Sequence, residues 1–186
     1  VISISSNLSG TFNAFELAGK DHKGANLHYY DTKTLSAAQG NLVKVALKSI
    51  EEEKSIPRIV ADLNQVRYED SIALFTVETL KYLREGGRIG KVEGTIGDLL
   101  NVKPVITVND EGVYVTLTKG FGMKRTMVAM RKVLKDKFGE DLIDITIHYG
   151  DNIEKAEALK EKLALSLNTR DIDISQLTPV LGIHTG

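Results

Sequence analysis

Ser5-Ser6-Asn7-Leu8-Ser9-Gly10-Thr11 joins two segments of opposite character. Before it, Val1 to Ile4 is short, apolar and suited to an extended strand. After it, Phe12 and Phe15 stand three apart, and Ala14, Leu17 and Ala18 fall at i, i+3 and i+4, the period of a helix. The order is strand, tight turn, helix. A helix N-terminus carries backbone N–H groups without partners and roughly half a positive charge. Hydroxyls added to such a terminus suit a phosphate or a carboxylate. The alternative is that Ser9 or Asn7 only caps the helix, a position both residue types favour.

Working outward, the next segments alternate in the same way. Leu27 to Tyr30 reads as a short strand running into Asp31 and Thr32. Leu35, Ala38, Leu42, Val45, Ala46 and Ile50 keep a helical period that ends in the charged run Glu51 to Lys54. Pro57 suits the first turn of a further helix carrying Ile59, Val60, Leu63 and Val66. Ser71 to Val77 reads as a buried strand. Strands alternating with helices of this length predict βαβ units and a parallel sheet. In such sheets ligands favour the carboxyl ends of strands, where Ser5 and Ser6 stand.

Thr79 to Glu85 is a helix stopped by Gly86-Gly87. Arg88 and Lys91, beside glycines, either flank an anion or lie as exposed charge near a helix C-terminus. Thr95 to Asn101 reads as a second short helix. From Lys103 the texture changes. Val105 to Val108 and Val113 to Thr118 flank Asn109 to Gly112, a hairpin signal. Val113, Val115 and Leu117 share one face, and Tyr114, Thr116 and Thr118 the other. The switch implies a domain boundary near Val77 to Gly87. Residues 1–77 are then the remainder of a first α/β domain, and 78–186 a second α/β domain containing the hairpin.

Met123, Met127, Met130, Leu134 and Phe138 lie on one stripe of the next helix. Methionine adapts to flexible ligands, so the stripe is either an acyl-chain pocket or an ordinary core face. Lys124, Arg125, Arg131, Lys132 and Lys135, with Lys119 just before, make a basic patch suited to an acidic or phosphate-bearing partner. Ile143 to Tyr149 alternates as a half-buried strand, and Asn152 to Leu167 is a helix with Ile153, Ala156, Leu159, Leu163 and Leu167 inward. Asp171 to Ile174 and Val180 to Ile183 read as two more strands, the last leading to His184 as Ile4 leads to Ser5.

Composition excludes several function classes. The net charge of −1 gives no electrostatic reason for nucleic acid. The absence of cysteine excludes thiolate metal sites and thiol nucleophiles, and fits a reducing, cytoplasmic setting. No apolar run reaches the length of a membrane span, and no signal-peptide pattern is seen. His22, His28, His148 and His184 are scattered, with no metal-ligand spacing, and neither phosphate-loop motif occurs. No cofactor is implied. A hydrolase triad drawn from Ser5 or Ser6, His184 and Asp31 lacks the Gly-x-Ser-x-Gly spacing of a nucleophile elbow. A serine-dependent acyl hydrolase remains the competing reading.

Four stretches resemble the DegV family in order and spacing across the whole chain. Ser5-Ser6-Asn7-Leu8-Ser9-Gly10-Thr11-Phe12 resembles its Ser-Ser-x-Leu-Ser-Gly-Thr-Tyr motif, with Phe12 lacking the tyrosine hydroxyl. Leu83-Arg84-Glu85-Gly86-Gly87-Arg88-Ile89 is similar to its Leu-x-x-Gly-Gly-Arg-Ile segment. Leu99-Leu100-Asn101-Val102-Lys103-Pro104-Val105 resembles Leu-Leu-x-Ile-Lys-Pro-Ile, and Gly182-Ile183-His184-Thr185-Gly186 the Gly-x-His-x-Gly near the family's end. The resemblance implies a two-domain DegV-like (EDD) fold with a long-chain fatty acid in an interdomain tunnel. It implies a carrier subunit, not an enzyme: a partner fatty acid kinase phosphorylates the bound carboxylate, and the acyl phosphate feeds phospholipid synthesis. It further implies that Ser5 or Ser6 holds the carboxylate with His184 close by, and that Arg88, Lys119, Lys124 and Arg125 belong to the mouth or partner surface. Family members also carry residues before the serine motif, including a threonine that binds the carboxylate, and residues after the His-x-Gly. The expectation is therefore a chain truncated at both ends.

Overall fold

A computed structural model describes residues 1–22, 24–92 and 101–186. Thr95 to Leu100, expected to be helical, fall outside the described residues. The chain divides into two compact units: Val1–Ala73 with Thr107–Val115, and Leu74–Ile106 with Thr116–Gly186.

The first unit is built on two very short strands, β1 (Ile2–Ser3) and β2 (Tyr30–Asp31). They pair in parallel, Ile2 with Tyr30 and Ser3 with Asp31, as the alternation predicts. Between them runs α1 (Thr11–Gly19), which buries no residue. Then come α2 (Ser36–Glu51) and α3 (Ile56–Asn64), the latter with proline in its first turn. Leu42 and Ala46 of α2 meet Ile59 and Leu63 of α3, with Ile2, Tyr30, Val45 and Val66 around them. Ile50, expected inward, is exposed instead. A π-helical turn, Gln65–Asp70, continues α3.

The expected strand Ser71 to Val77 shrinks to β3 (Leu74–Phe75), whose two residues are only half-buried. After α4 (Lys81–Glu85) come β4 (Val102–Val108) and β5 (Tyr114–Phe121), giving a sheet ordered β3-β4-β5. The hairpin forms where its turn chemistry places it. Asn109 N–H donates to the Val113 carbonyl, Val113 N–H donates to Asn109 Oδ1, and Gly112 takes φ +81°. The alternation left open which face is covered: Tyr114 is buried while Leu117 and Phe121 are 46% and 57% exposed.

The second unit closes with α5 (Gly122–Phe138), β6 (Ile143–Tyr149), α6 (Ile153–Ala164), β7 (Thr169–Gln176) and α7 (Pro179–Thr185). β6 and β7 pair in parallel through α6, a right-sized βαβ crossover. Ile147, Ala156, Leu163, Leu167 and Ile172 form the core there, with Leu134 of α5 packed against them. Asn152 caps α6, its side chain accepting from the Lys155 N–H at 2.8 Å.

Val180 to Ile183 is not a strand. It lies in α7, closed by Gly182 N–H to the Thr178 carbonyl and Gly186 N–H to the Gly182 carbonyl. A four-residue apolar run fits a strand or a helix turn equally, and the deciding signal was Pro179, whose ring is preset for the first helical turn. His184 therefore ends a helix, and the parallel with Ser5 after Ile4 does not hold.

Candidate functional site

Ser5 leaves β1 at its carboxyl end and is fully buried. Its N–H donates to the Thr34 carbonyl at 2.9 Å, and its hydroxyl donates to the Gly112 carbonyl at 2.8 Å and accepts from the Asn7 N–H at 3.3 Å. The turn then tightens as the N–H groups of Leu8 and Ser9 both donate to the Ser5 carbonyl. Asn7 Nδ2 donates to the Glu111 carbonyl at 2.6 Å, a second bond from the turn to the hairpin tip.

Ser6, the next residue, is exposed. Its N–H donates to Asp31 Oδ1 at 3.2 Å, and the Lys33 ammonium donates to its hydroxyl at 3.2 Å. Lys33 also pairs with Asp31 at 2.8 Å. Burial pushes the Asp31 carboxyl up, but hydrogen bonds from Lys33 and Ser6 outweigh it and hold it below its ordinary 3.8. A hydroxyl beside an ammonium makes a pair of donors for an anion.

Gly10 holds the N-cap position of α1, without a side-chain bond. Ser9, one residue earlier, nonetheless accepts from the first amide of the helix, Thr11 N–H, at 3.3 Å, and its hydroxyl lies 2.8 Å from that of Thr11. Asn7 makes no such bond to the helix start among the described residues and reaches the hairpin tip instead.

In the second unit, His184 is half-buried at the end of α7, and its Nδ1 is buried without a hydrogen-bond partner among the described residues. It packs on Gly86, where an added Cβ would lie 2.5 Å from Nδ1. Arg88 is half-buried, its guanidinium donating to the Gly86 carbonyl at 2.7 Å. Lys119, Lys124 and Arg125 are exposed around the start of α5. Farther along, Lys132 pairs with Asp136 and Lys135 with Glu140, so the basic patch is partly neutralised. The methionines are half-buried, and only Thr126 of α5 is fully buried.

Asp31 gives its oxygens to the Ser6 and Lys33 N–H groups and the Lys33 ammonium, which builds the turn. The nitrogen of His184 that a triad carboxylate would hold has no partner among the described residues.

Lys33 was missed by sequence reasoning. Its signal lay in Asp31-Thr32-Lys33 following β2 just as the serines follow β1, since neighbouring parallel strands bring their carboxyl ends together.

A family model described as "Uncharacterised protein, DegV family" matches residues 1–186. A DegV domain-containing protein from Clostridium acetobutylicum is 35% identical over 185 residues, covering 100% of this chain and 66% of that protein. The chain thus spans just under two thirds of such relatives. Among solved structures, a fatty-acid-binding DegV family protein from Thermus thermophilus aligns at TM-score 0.86 and 32% identity, over 98% of this chain and 65% of that one. A fatty-acid-binding DegV family protein from Streptococcus agalactiae aligns at TM-score 0.86 and 30% identity, over 100% and 65%.

Proposed function

The chain belongs to the DegV family, and from that we propose that it holds a long-chain fatty acid and offers the carboxylate to a partner kinase. The observation carrying this reading is the serine turn, where a buried hydroxyl fixes the backbone and an exposed one, Ser6, lies 3.2 Å from the Lys33 ammonium. The fatty-acid-binding relatives share the overall fold of this chain. Ser5 and Ser6 are the carboxylate residues of the proposal, and His184 joins them on the family motif alone. Arg88, Lys119, Lys124 and Arg125 form the partner surface.

Physically the division of labour is simple. Burying an acyl chain is worth about 0.8 kcal/mol per methylene, so affinity comes from the apolar tail. The hydroxyls and the ammonium decide which end faces outward. The protein then needs no catalytic group, because phosphoryl transfer to the carboxylate, giving an acyl phosphate for phospholipid synthesis in the cytoplasm, belongs to the kinase.

Mass spectrometry of lipids extracted from the purified full chain tests the reading. The expected result is a long-chain fatty acid retained by the wild type and reduced in Ser6→Ala. Finding neither a co-purified acid nor uptake of added palmitate would overturn it.

A further inference from the structure

We propose that Arg67 is the positioning residue of the serine turn, setting the Ser6–Lys33 pair at the spacing a carboxylate headgroup needs; this rests on the fatty-acid reading above. Arg67 stands in the π-helical turn Gln65–Asp70, a form that often marks functional sites. It is 8% exposed. Its Nε donates to the Thr32 carbonyl at 3.0 Å. Its Nη2 donates to the carbonyls of Lys33 at 2.7 Å, Asn109 at 2.8 Å and Val108 at 3.4 Å.

Every acceptor is a backbone carbonyl, and they belong to two segments far apart in sequence. Those same segments suspend the turn. Thr34 accepts the Ser5 N–H, while Glu111 and Gly112 accept the Asn7 amide and the Ser5 hydroxyl. Arg67 touches neither serine, yet it fastens both supports. Only a planar fork of donors spans such a set, and lysine offers no equivalent.

Lys33 sharpens the point. Its φ is +50°, in the left-handed region a side chain with a Cβ seldom adopts. Such strain persists only where the surroundings over-determine it. Here Arg67 holds the Lys33 carbonyl, and Asp31 holds its N–H at 3.1 Å. That conformation brings the ammonium to the Ser6 hydroxyl. Removing the guanidinium also takes a donor from four backbone carbonyls, a stability cost that melting reads separately from the comparison of acid with ester.

Binding of palmitate and of methyl palmitate to the full chain distinguishes the possibilities, with thermal melting to verify folding. The wild type is expected to prefer the acid. Arg67→Met is expected to weaken the acid by roughly tenfold or more, the loss of one charge-assisted hydrogen bond, and to leave the ester unchanged. Arg67→Lys, which keeps the charge but not the fork, should fall between them, and is read alone if Arg67→Met does not fold. Equal weakening of acid and ester, or no weakening of either, overturns the assignment. So does failure of both variants to fold, which makes Arg67 a folding residue only. A wild type that does not prefer the acid overturns the headgroup reading itself.

Discussion

At Ser5 the hydroxyl proton is committed to the Gly112 carbonyl, whereas at Ser6 the hydroxyl faces outward beside an ammonium. Adjacent serines thus carry different consequences when truncated. Ser5→Ala leaves the buried Gly112 carbonyl without its donor, a loss of about 1–3 kcal/mol. Ser6→Ala removes an exposed group and is expected to change stability by no more than about 0.5 kcal/mol. Its effect should appear in fatty-acid retention instead. Urea denaturation beside lipid extraction separates the two. Equal stability loss in both variants would contradict the division.

Between elements, α4 packs against α7 within the second unit. Gly86 ends α4 and His184 ends α7, and a Cβ on Gly86 would lie 2.5 Å from the imidazole. Gly86 itself has φ −76°, so alanine is acceptable to the backbone and only the neighbour must give way. Gly86→Ala is therefore expected to displace His184 with little change in melting temperature, and to lower fatty-acid retention. Unchanged retention would remove His184 from the headgroup set. The sequence showed Gly86 as a helix stop but hid this second duty, because the partner lies nearly a hundred positions away and on an element read as a strand. What was legible follows the same logic. The parallel pairing of β1 with β2, the hairpin turn and the α5 and β6 periods all rest on local pattern. The hairpin's buried face was not legible, since alternation defines two faces without saying which is covered. Arg67 was invisible for a related reason: its four acceptors are main-chain carbonyls, which leave no side-chain signature.

Taken as a whole molecule, the chain is nearly neutral, so its stability against acid depends on a few groups whose protonation differs between folded and unfolded states. His148, half-buried on β6, is one. Burial holds its imidazole below the ordinary 6.5. The unfolded chain therefore takes up this proton first, and stability is full above 6.5 and declines as pH falls below it, until the folded imidazole also titrates. Asp31 is another. Its hydrogen bonds hold the carboxyl below 3.8, so its contribution persists above that value and is lost as pH falls through the lower folded one. The expected profile of melting temperature against pH has two descents, one beginning near neutrality and one in stronger acid. His148→Gln should flatten the first and leave the second. Asp31→Asn should lower the curve above the second descent and make that descent shallower, because it deletes the partner of Lys33 and of the Ser6 N–H. Asp31's share of the second descent belongs to the serine turn, and Asp62, whose carboxyl Lys54 and Ser49 hold low, supplies a share away from it. A wild-type profile flat from neutrality to the carboxylate range would show that His148 exchanges its proton as freely folded as unfolded.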